Sequence, residues 1–230
     1  MATVLVTGAN RGLGLEFVRQ LVNRGDEVVA TRRGKAGAGE LDALGDFHGN
    51  LRVLELDVRE SDSIASFARR LDGRAIDILI NNAGVYGPRG AAFGELDGGS
   101  WAEVIGVNSI APMLLAQKLL PNLRGGGARK LVFITSKMGS IADNRGGGSY
   151  IYRSSKSALN AAVKSLAVDL AGENFVSLLL HPGWVRTDMG GPSALIDAAT
   201  SVGGMLRVID RAGPAESGGF FAYDGAVIPW

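Results

Sequence analysis

The chain has 230 residues, a formal net charge of +1 at pH 7, 34 glycines and no cysteine. This near-neutral charge favours neither nucleic acid nor a membrane surface as a partner, and the lack of cysteine excludes disulfides and thiolate catalysis. No apolar run approaches the roughly 18 residues of a membrane span, and no signal peptide is visible, so we expect a cytoplasmic protein.

Short apolar, β-branched runs alternate with helical patterns along the chain. Strands are predicted at 3–7, 27–31, 51–56, 76–80, 130–135, 176–181 and 219–223, and helices are predicted to begin near residues 12, 40, 62, 100, 150 and 197. Apolar strands separated by helices indicate a doubly wound α/β fold of the Rossmann type, with a mostly parallel seven-stranded sheet covered on both faces. No linker or repeat interrupts the pattern, so residues 1–230 are predicted to form one domain.

The segment TGANRGLG, residues 7–14, lies between the first predicted strand and the first predicted helix. Its glycines allow positive φ or a close approach of the backbone, and the helix N-terminus that follows offers free N–H groups to an anion. Its spacing is neither that of G-x-G-x-x-G nor that of a P-loop. By itself the segment is therefore equally consistent with an anion site and with a turn that binds nothing.

Polar residues follow several predicted strands, where ligands bind in open α/β sheets. The sequence Asn81-Asn82-Ala83-Gly84 suits either the close approach of a flat ligand or a tight turn. Asn108 lies four residues before Pro112 in a helical segment, and the proline removes the hydrogen bond to the Asn108 carbonyl. That carbonyl could hold a water, or the kink could serve packing alone.

Tyr152 and Lys156 are four residues apart, so they share one face of the helix predicted from residue 150. A nearby ammonium favours the phenolate, and lowering a tyrosine pKa by about 3 units requires about 4 kcal/mol. Tyr150 would point to another face, and a chance surface pair is the plain alternative. Ser136 ends a strand, where its hydroxyl could orient a substrate carbonyl or simply cap the turn; Ser140 is a rival.

These motifs, in this order, resemble the short-chain dehydrogenase/reductase family over about residues 3–188. They are TGANRGLG, NNAG, Asn108 in VNSIAP, Ser136, YxxxK at Tyr152 and the Pro182-Gly183 pair. The segments TSKMGSIADN, YRSSKSALN, PGWVRTDMGG and DGAVIPW further resemble its C-factor/Sniffer-like carbonyl reductase branch. Ser136 and Tyr152 are sixteen residues apart, farther than is usual in the family, and a glycine-lined loop at 146–148 could absorb the difference.

The resemblance implies a role for each matching residue. Tyr152 is the general acid and base, Lys156 lowers its pKa and holds the nicotinamide ribose, Ser136 positions the carbonyl, and Asn108 anchors a relay water. The implied cofactor-binding residues are Gly8, Asn10, Arg11, Gly12, Leu13 and Gly14 in the glycine turn, Asp57 and Val58 at the adenine, Asn81, Ala83 and Gly84 at the adenosine side, and Pro182, Gly183, Val185 and Thr187 at the nicotinamide end.

The end of the second strand favours NADP(H) over NAD(H). An NAD site would place an acidic residue there, whereas this chain has Arg32, and Asp26 and Glu27 lie at the opposite end of the strand. Arg32, with help from Arg11, could bind a 2′-phosphate. A solvated basic pair is the alternative.

The sequence therefore predicts an NADP(H)-dependent oxidoreductase that acts on the carbonyl or alcohol of a small, fairly apolar molecule. A substrate lid is expected at about 188–202, and analogy with the family favours a homo-dimer or tetramer. A dinucleotide-binding signalling or regulatory protein on the same fold is the second hypothesis. The complete set of Asn108, Ser136, Tyr152 and Lys156 argues against it.

Overall fold

Seven strands form one sheet at the centre of the protein, which a computed structural model describes for residues 1–34 and 39–230. They are β1 (Thr3–Val6), β2 (Glu27–Arg32), β3 (Leu51–Glu55), β4 (Ile78–Asn81), β5 (Lys130–Ile134), β6 (Val176–His181) and β7 (Gly219–Ala222). The spatial order is β3-β2-β1-β4-β5-β6-β7, and every neighbouring pair of these strands is parallel. The predicted doubly wound fold is confirmed, and among the described residues its sheet is parallel throughout rather than mostly parallel.

Helices cover both faces of the sheet. Those described are α1 (Gly12–Asn23), α2 (Gly39–Phe47), α3 (Ser61–Arg70), α4 (Gly98–Ile105), α5 (Ala111–Lys118), α6 (Leu120–Arg124), α7 (Tyr150–Asp169) and α8 (Ala198–Arg211). Every predicted helix start lies within two residues of an observed one. In the described ranges, no helix has both the length and the apolar character that crossing a membrane requires.

The core has two halves because successive strand residues point to opposite faces of the sheet. In β1, Val4 and Val6 pack with the apolar sides of α1 and α8, whereas Leu5 packs with residues of α3, α5 and α7. Both faces of the strands are buried, which explains why they read as continuous apolar runs rather than as alternating ones.

The chain order reverses between β1 and β4, which are neighbours in the sheet. In open α/β sheets ligands bind at such a switch point, beyond the carboxyl ends of the strands. Because all seven strands are parallel, the residues that follow them meet at this one edge. The fold therefore gathers the polar residues that the sequence places after each strand.

A π-helix, Gly106–Ile110, lies between α4 and α5. The N–H of Ala111 bonds to the carbonyl of Gly106, five residues back, and Pro112 follows directly. The predicted local opening of the helix at Asn108 thus takes the form of a widened turn. The side chains of Asn108 and Ser109 in this turn both bond to Ser155 of α7.

Candidate active site

Ser136, Tyr152 and Lys156 lie together beyond the carboxyl end of β5. Tyr152 and Lys156 lie one turn apart on α7, and only 8% and 6% of their surfaces are exposed. The Lys156 Nζ donates to the Ile134 carbonyl at 2.9 Å and lies 5.9 Å from the centre of the Tyr152 ring. Ser136 caps a short turn by accepting a bond from the Met138 N–H, and its hydroxyl also interacts with the Tyr152 phenol. The structure thus brings together the three residues that the sequence selected.

The expected lowering of the Tyr152 pKa is not found in the chain alone. Burial raises the pKa of Tyr152 to about 12; the Ser136 hydroxyl opposes this rise, and Tyr86 adds to it. Burial likewise lowers the pKa of Lys156 to about 8. Loss of water disfavours the charged form of both groups, and this outweighs their mutual attraction at this separation. That Lys156 lowers the Tyr152 pKa when a nicotinamide is bound beside the pair stays a prediction.

Asn108 clamps the loop after β4. Its Oδ1 accepts from the Val85 N–H at 2.9 Å, while its Nδ2 donates to the Val85 carbonyl at 2.8 Å and to the Ser155 hydroxyl at 3.0 Å. The Asn108 side chain therefore fixes the backbone directly before Tyr86 to α7. The role of its carbonyl in a water relay stays a prediction.

The glycine turn is packed closely against the loop after β4. Gly8 has φ +63°, and a Cβ there would lie 3.0 Å from the Cα of Ala83. The Asn82 amide donates to the carbonyls of Thr7 and Gly8, and a Cβ on Gly14 would lie 2.2 Å from the Gly8 carbonyl oxygen. These glycines are required by the close approach of backbone segments, whether or not a ligand is bound.

One buried amide in the cleft between β1 and β4 has no partner in the described part of the chain. Asn81 is 6% exposed, its Nδ2 makes no hydrogen bond there, and it lines a small cavity with Val58 and Ala83. An unsatisfied buried donor is costly, so this position suits a ligand that brings an acceptor. Gly84 borders the same cleft: a Cβ there would lie 3.7 Å from the Lys156 Nζ. These residues fit a dinucleotide.

The two arginines expected at a 2′-phosphate are held by different carboxylates. Arg32 Nε lies 3.3 Å from Asp42 Oδ1 with 14% of its side chain exposed, whereas Arg11 pairs with Asp188 at 2.8 Å in an exposed position. The structure thus does not form the joint clamp that the sequence suggested. Asp57 pairs with Arg59, which holds the pKa of its carboxyl below the ordinary value.

The residues after β6 approach the glycine turn. A Cβ on Gly12, which has φ +55°, would lie 3.5 Å from the Thr187 Cγ2. Val185 is buried and forms an isolated parallel bridge with Ile196. This brings Thr187 beside the start of α1, and Pro182 and Gly183 follow β6 at the same edge. The other turn residues, Asn10 and Leu13, are half-buried there.

The segment expected to be a lid is partly helical. Residues 198–202 form the first turns of α8, where Ser201 and Val202 are fully buried, so the loop itself spans 188–197. The loop folds back on the residues that follow β6 through the Leu195 N–H, which donates to the Trp184 carbonyl at 3.0 Å. That this loop closes over a substrate stays a prediction.

The extra residues between Ser136 and Tyr152 lie in an exposed loop. Residues 141–148 are all exposed, whereas Gly139 packs against α7 so closely that a Cβ there would lie 2.8 Å from the Lys156 Cβ. Ser140, the rival of Ser136, is 1% exposed and donates to the Trp230 carbonyl. Tyr150 is 37% exposed and contacts Phe93 instead of the site.

His181 does not compete with Tyr152 as a proton donor. Burial, helped by the nearby Lys137 charge, lowers the pKa of His181 to about 4, so its imidazole is neutral near pH 7.

Tyr86 is part of the site that sequence reasoning missed. Its ring stacks on that of Tyr152 with centroids 4.4 Å apart and an angle of 21° between the planes. Tyr86 lies two residues after NNAG in the loop that follows β4, so a search of the residues after each strand could have included it. An aromatic residue in a loop, however, carries no motif of its own.

A parallel sheet with a glycine turn at its switch point, and a buried tyrosine–lysine pair at the same edge, is the arrangement of a dinucleotide-binding α/β protein. Comparisons with known proteins agree. The family model of the short chain dehydrogenases matches residues 2–195. The protein C-signal of Myxococcus xanthus is 49% identical over 165 residues, which make up 72% of this chain and 99% of that protein.

Two solved structures are similar over the whole chain. The carbonyl reductase Sniffer of D. melanogaster has a TM-score of 0.94 at 37% identity, with 100% of both chains covered. The NADPH-bound carbonyl reductase from chicken fatty liver has a TM-score of 0.92 at 36% identity, covering 100% of this chain and 99% of that one. The chain belongs to the short-chain dehydrogenase family of oxidoreductases, which confirms the resemblance found in the sequence.

Proposed function

We propose that the protein is an NADP(H)-dependent oxidoreductase that interconverts the carbonyl and the alcohol of a small, fairly apolar substrate. One observation carries this proposal: a buried, protonated Tyr152 lies with Lys156 and Ser136 at the edge of the sheet that also bears the glycine turn. When bound, NADPH supplies the hydride, and the protein supplies position and the proton.

Each part of the site has its own role in the proposed reaction. The glycine turn and the unpaired Asn81 amide would hold the dinucleotide. Lys156 would hold its ribose hydroxyls, since its Nζ lies close to Gly84, 3.7 Å from where a Cβ on that residue would be. The Ser136 hydroxyl would donate to the substrate carbonyl oxygen and keep it beside Tyr152. The Tyr152 Oη would then pass its proton to that oxygen as the alcohol forms.

The raised pKa of Tyr152 suits its role as the proton donor in the reduction step. A phenol with a pKa of about 12 is protonated at neutral pH and is therefore ready as a donor. Oxidation needs the phenolate, which a cation beside the ring would favour. Lys156 is that cation, and the oxidised nicotinamide is also positively charged.

NADP(H) is favoured over NAD(H) because Arg32 ends β2, where the ribose of the adenosine half would bind. Its partner Asp42 is on α2 and is 46% exposed at the side chain, so the guanidinium can exchange it for a phosphate. The chicken carbonyl reductase was crystallised with NADPH, which supports the same choice.

Exposed apolar side chains near the site suit a fairly apolar substrate. Ile141, Trp184 and Leu195 lie in the loops after β5 and β6 and are 78%, 51% and 75% exposed. We further propose that the protein acts in the cytoplasm as a homo-dimer or tetramer, by analogy with its family.

The test is the oxidation of NADPH in the presence of a panel of ketones, aldehydes and quinones, with wild type and Tyr152→Phe compared. We expect turnover by wild type, and a loss of turnover in Tyr152→Phe with NADPH binding retained, because only the proton donor is removed. Equal turnover by both proteins would contradict the assigned role of Tyr152.

The similarity to C-signal favours a second candidate, a signalling or regulatory protein that binds a dinucleotide. The same experiment separates the two. Wild type that binds NADPH tightly and turns over nothing in the panel supports the second candidate.

A further inference from the structure

A stack of four side chains runs through the site. The Lys156 Nζ lies 5.9 Å from the centre of the Tyr152 ring, Tyr86 stacks on Tyr152, and the Arg89 guanidinium lies 4.4 Å from the centre of the Tyr86 ring. Tyr152 and Tyr86 come from different elements, α7 and the loop after β4. Tyr86 is therefore a direct neighbour of the proposed proton donor.

Tyr86 is held in place on both sides of its backbone. The residue before it, Val85, is bonded at its N–H and its carbonyl by Asn108. The residue after it, Gly87, has φ +79°, and a Cβ there would lie 2.6 Å from the Val104 Cγ2, so the loop is pressed against α4. The Tyr86 ring thus has little freedom to leave Tyr152.

The hydroxyl and the outer face of Tyr86 are also engaged. Its Oη lies 3.0 Å from the Ser149 Oγ, and Ser149 has a left-handed backbone with φ +48° directly before α7 begins. Arg89, which covers the outer face, donates to the Met189 carbonyl in the loop 188–197. Tyr86 therefore joins the start of α7 to the segment expected to close over the substrate.

We propose that Tyr86 is a positioning residue for Tyr152: its ring fixes the orientation of the phenol and excludes water from one face of it. This inference deepens the proposed function and rests on it. Because a stacked ring covers a face of Tyr152 and not its edge, Tyr86 acts on the reaction through Tyr152 and needs no contact with the reacting atoms.

The charged and titratable groups around the phenol are few in the described part of the chain. Lys156 faces it from α7, Tyr86 faces it from the loop after β4, and Arg89 lies beyond the Tyr86 ring. Removing the Tyr86 ring hydrates the phenol and moves its pKa toward the ordinary value of about 10. A loss of orientation alone would lower the rate without this change.

The test compares Tyr86→Leu, Tyr86→Phe and the control Tyr150→Leu in the full-length protein. Tyr86→Phe keeps the ring and loses only the bond to Ser149. Tyr150→Leu makes the same change in a ring that contacts Phe93 rather than Tyr152. Thermal unfolding and NADPH binding are measured for each variant, to establish that it is folded and binds the cofactor.

For Tyr86→Leu we expect kcat to fall roughly tenfold to a hundredfold, the cost of a misplaced reacting group, with the Kd for NADPH nearly unchanged. In its kcat/KM profile, the alkaline limb at the higher pH, which reports Tyr152 rather than Lys156, should move to lower pH. Tyr86→Phe should stay close to wild type in both respects, and so should Tyr150→Leu. An unchanged rate and an unchanged limb in Tyr86→Leu would overturn the proposal.

A measurement without turnover separates this inference from the proposed function. The ¹³C signal of the labelled Tyr152 ring carbon, assigned by its loss in Tyr152→Phe, reports ionisation of the phenol directly. In Tyr86→Leu it should titrate at lower pH than in wild type. An identical titration refutes the exclusion of water by Tyr86, and an unchanged kcat refutes its orienting role, whereas a shifted titration in a protein that reduces no carbonyl refutes only the proposed function.

Discussion

Replacing Lys156 with methionine should stabilise the protein at neutral pH while abolishing its activity. Burial lowers the pKa of this ammonium from 10.5 to about 8, so a charge is held in the interior at a cost. At about 1.4 kcal/mol per pKa unit, the cost is about 3 kcal/mol. The bond from Nζ to the Ile134 carbonyl returns about 1 kcal/mol, so Lys156→Met should gain about 2 kcal/mol at pH 7.

The sign of the pH dependence follows from the lowered pKa. Below pH 8 the lysine is charged in the folded and the unfolded chain, and the full cost of burial applies. Between pH 8 and 10.5 the unfolded chain binds more protons, so the stability of wild type rises with pH. The advantage of Lys156→Met should therefore shrink across this window.

The assay is urea unfolding of wild type and Lys156→Met at pH 7 and pH 10, with Lys164→Met as the matched control. Lys164 lies two turns further along α7 and is exposed, so its replacement should change stability little at either pH. A Lys156→Met variant that is less stable than wild type at pH 7, or whose advantage is the same at both pH values, would refute the reasoning.

Two further predictions concern the dinucleotide cleft. Arg32→Ala should raise the Kd for NADPH by roughly tenfold to a hundredfold, the worth of a charge-assisted hydrogen bond, and leave the Kd for NADH nearly unchanged in binding titrations; equal losses would show that Arg32 does not contact the phosphate. Gly14→Ala should destabilise the fold by about 1–3 kcal/mol and weaken NADPH binding, because its Cβ would lie 2.2 Å from the Gly8 carbonyl oxygen. Gly172→Ala, where no atom lies within 4 Å, is its control in urea unfolding and should be neutral.

The fold could be predicted almost completely because its signals are local. Apolar strands such as β5 and β6 alternate with helical patterns, and a parallel sheet then places the residues after each strand at one edge. The same rule brought Ser136 to α7 and Thr187 to the glycine turn. The observed strand ends differ from the predicted ones by one or two residues, because tertiary contacts rather than the local pattern decide where a strand ends.

What could not be predicted depends on contacts between distant residues. The pairing of Arg11 with Asp188 joins positions 177 residues apart, so no local pattern reveals it. The raised pKa of Tyr152 reflects how completely α7 and its neighbours exclude water, which the YxxxK spacing does not contain. Tyr86 was missed for the same reason: only the folded chain shows which ring it covers.

The segment that joins β5 to α7 has an inner part, which ends just after the contact between Gly139 and Lys156, and an outer part, residues 141–148. Gly139 and Ser140 are buried, whereas residues 141–148 are all exposed and are bonded to the protein near their start, where the Ala142 N–H donates to the Trp230 carbonyl. Insertions or deletions in the outer part should therefore leave the distance between the serine and the tyrosine unchanged. The length of this loop can vary, by mutation or by design, while Ser136 and Tyr152 keep their places.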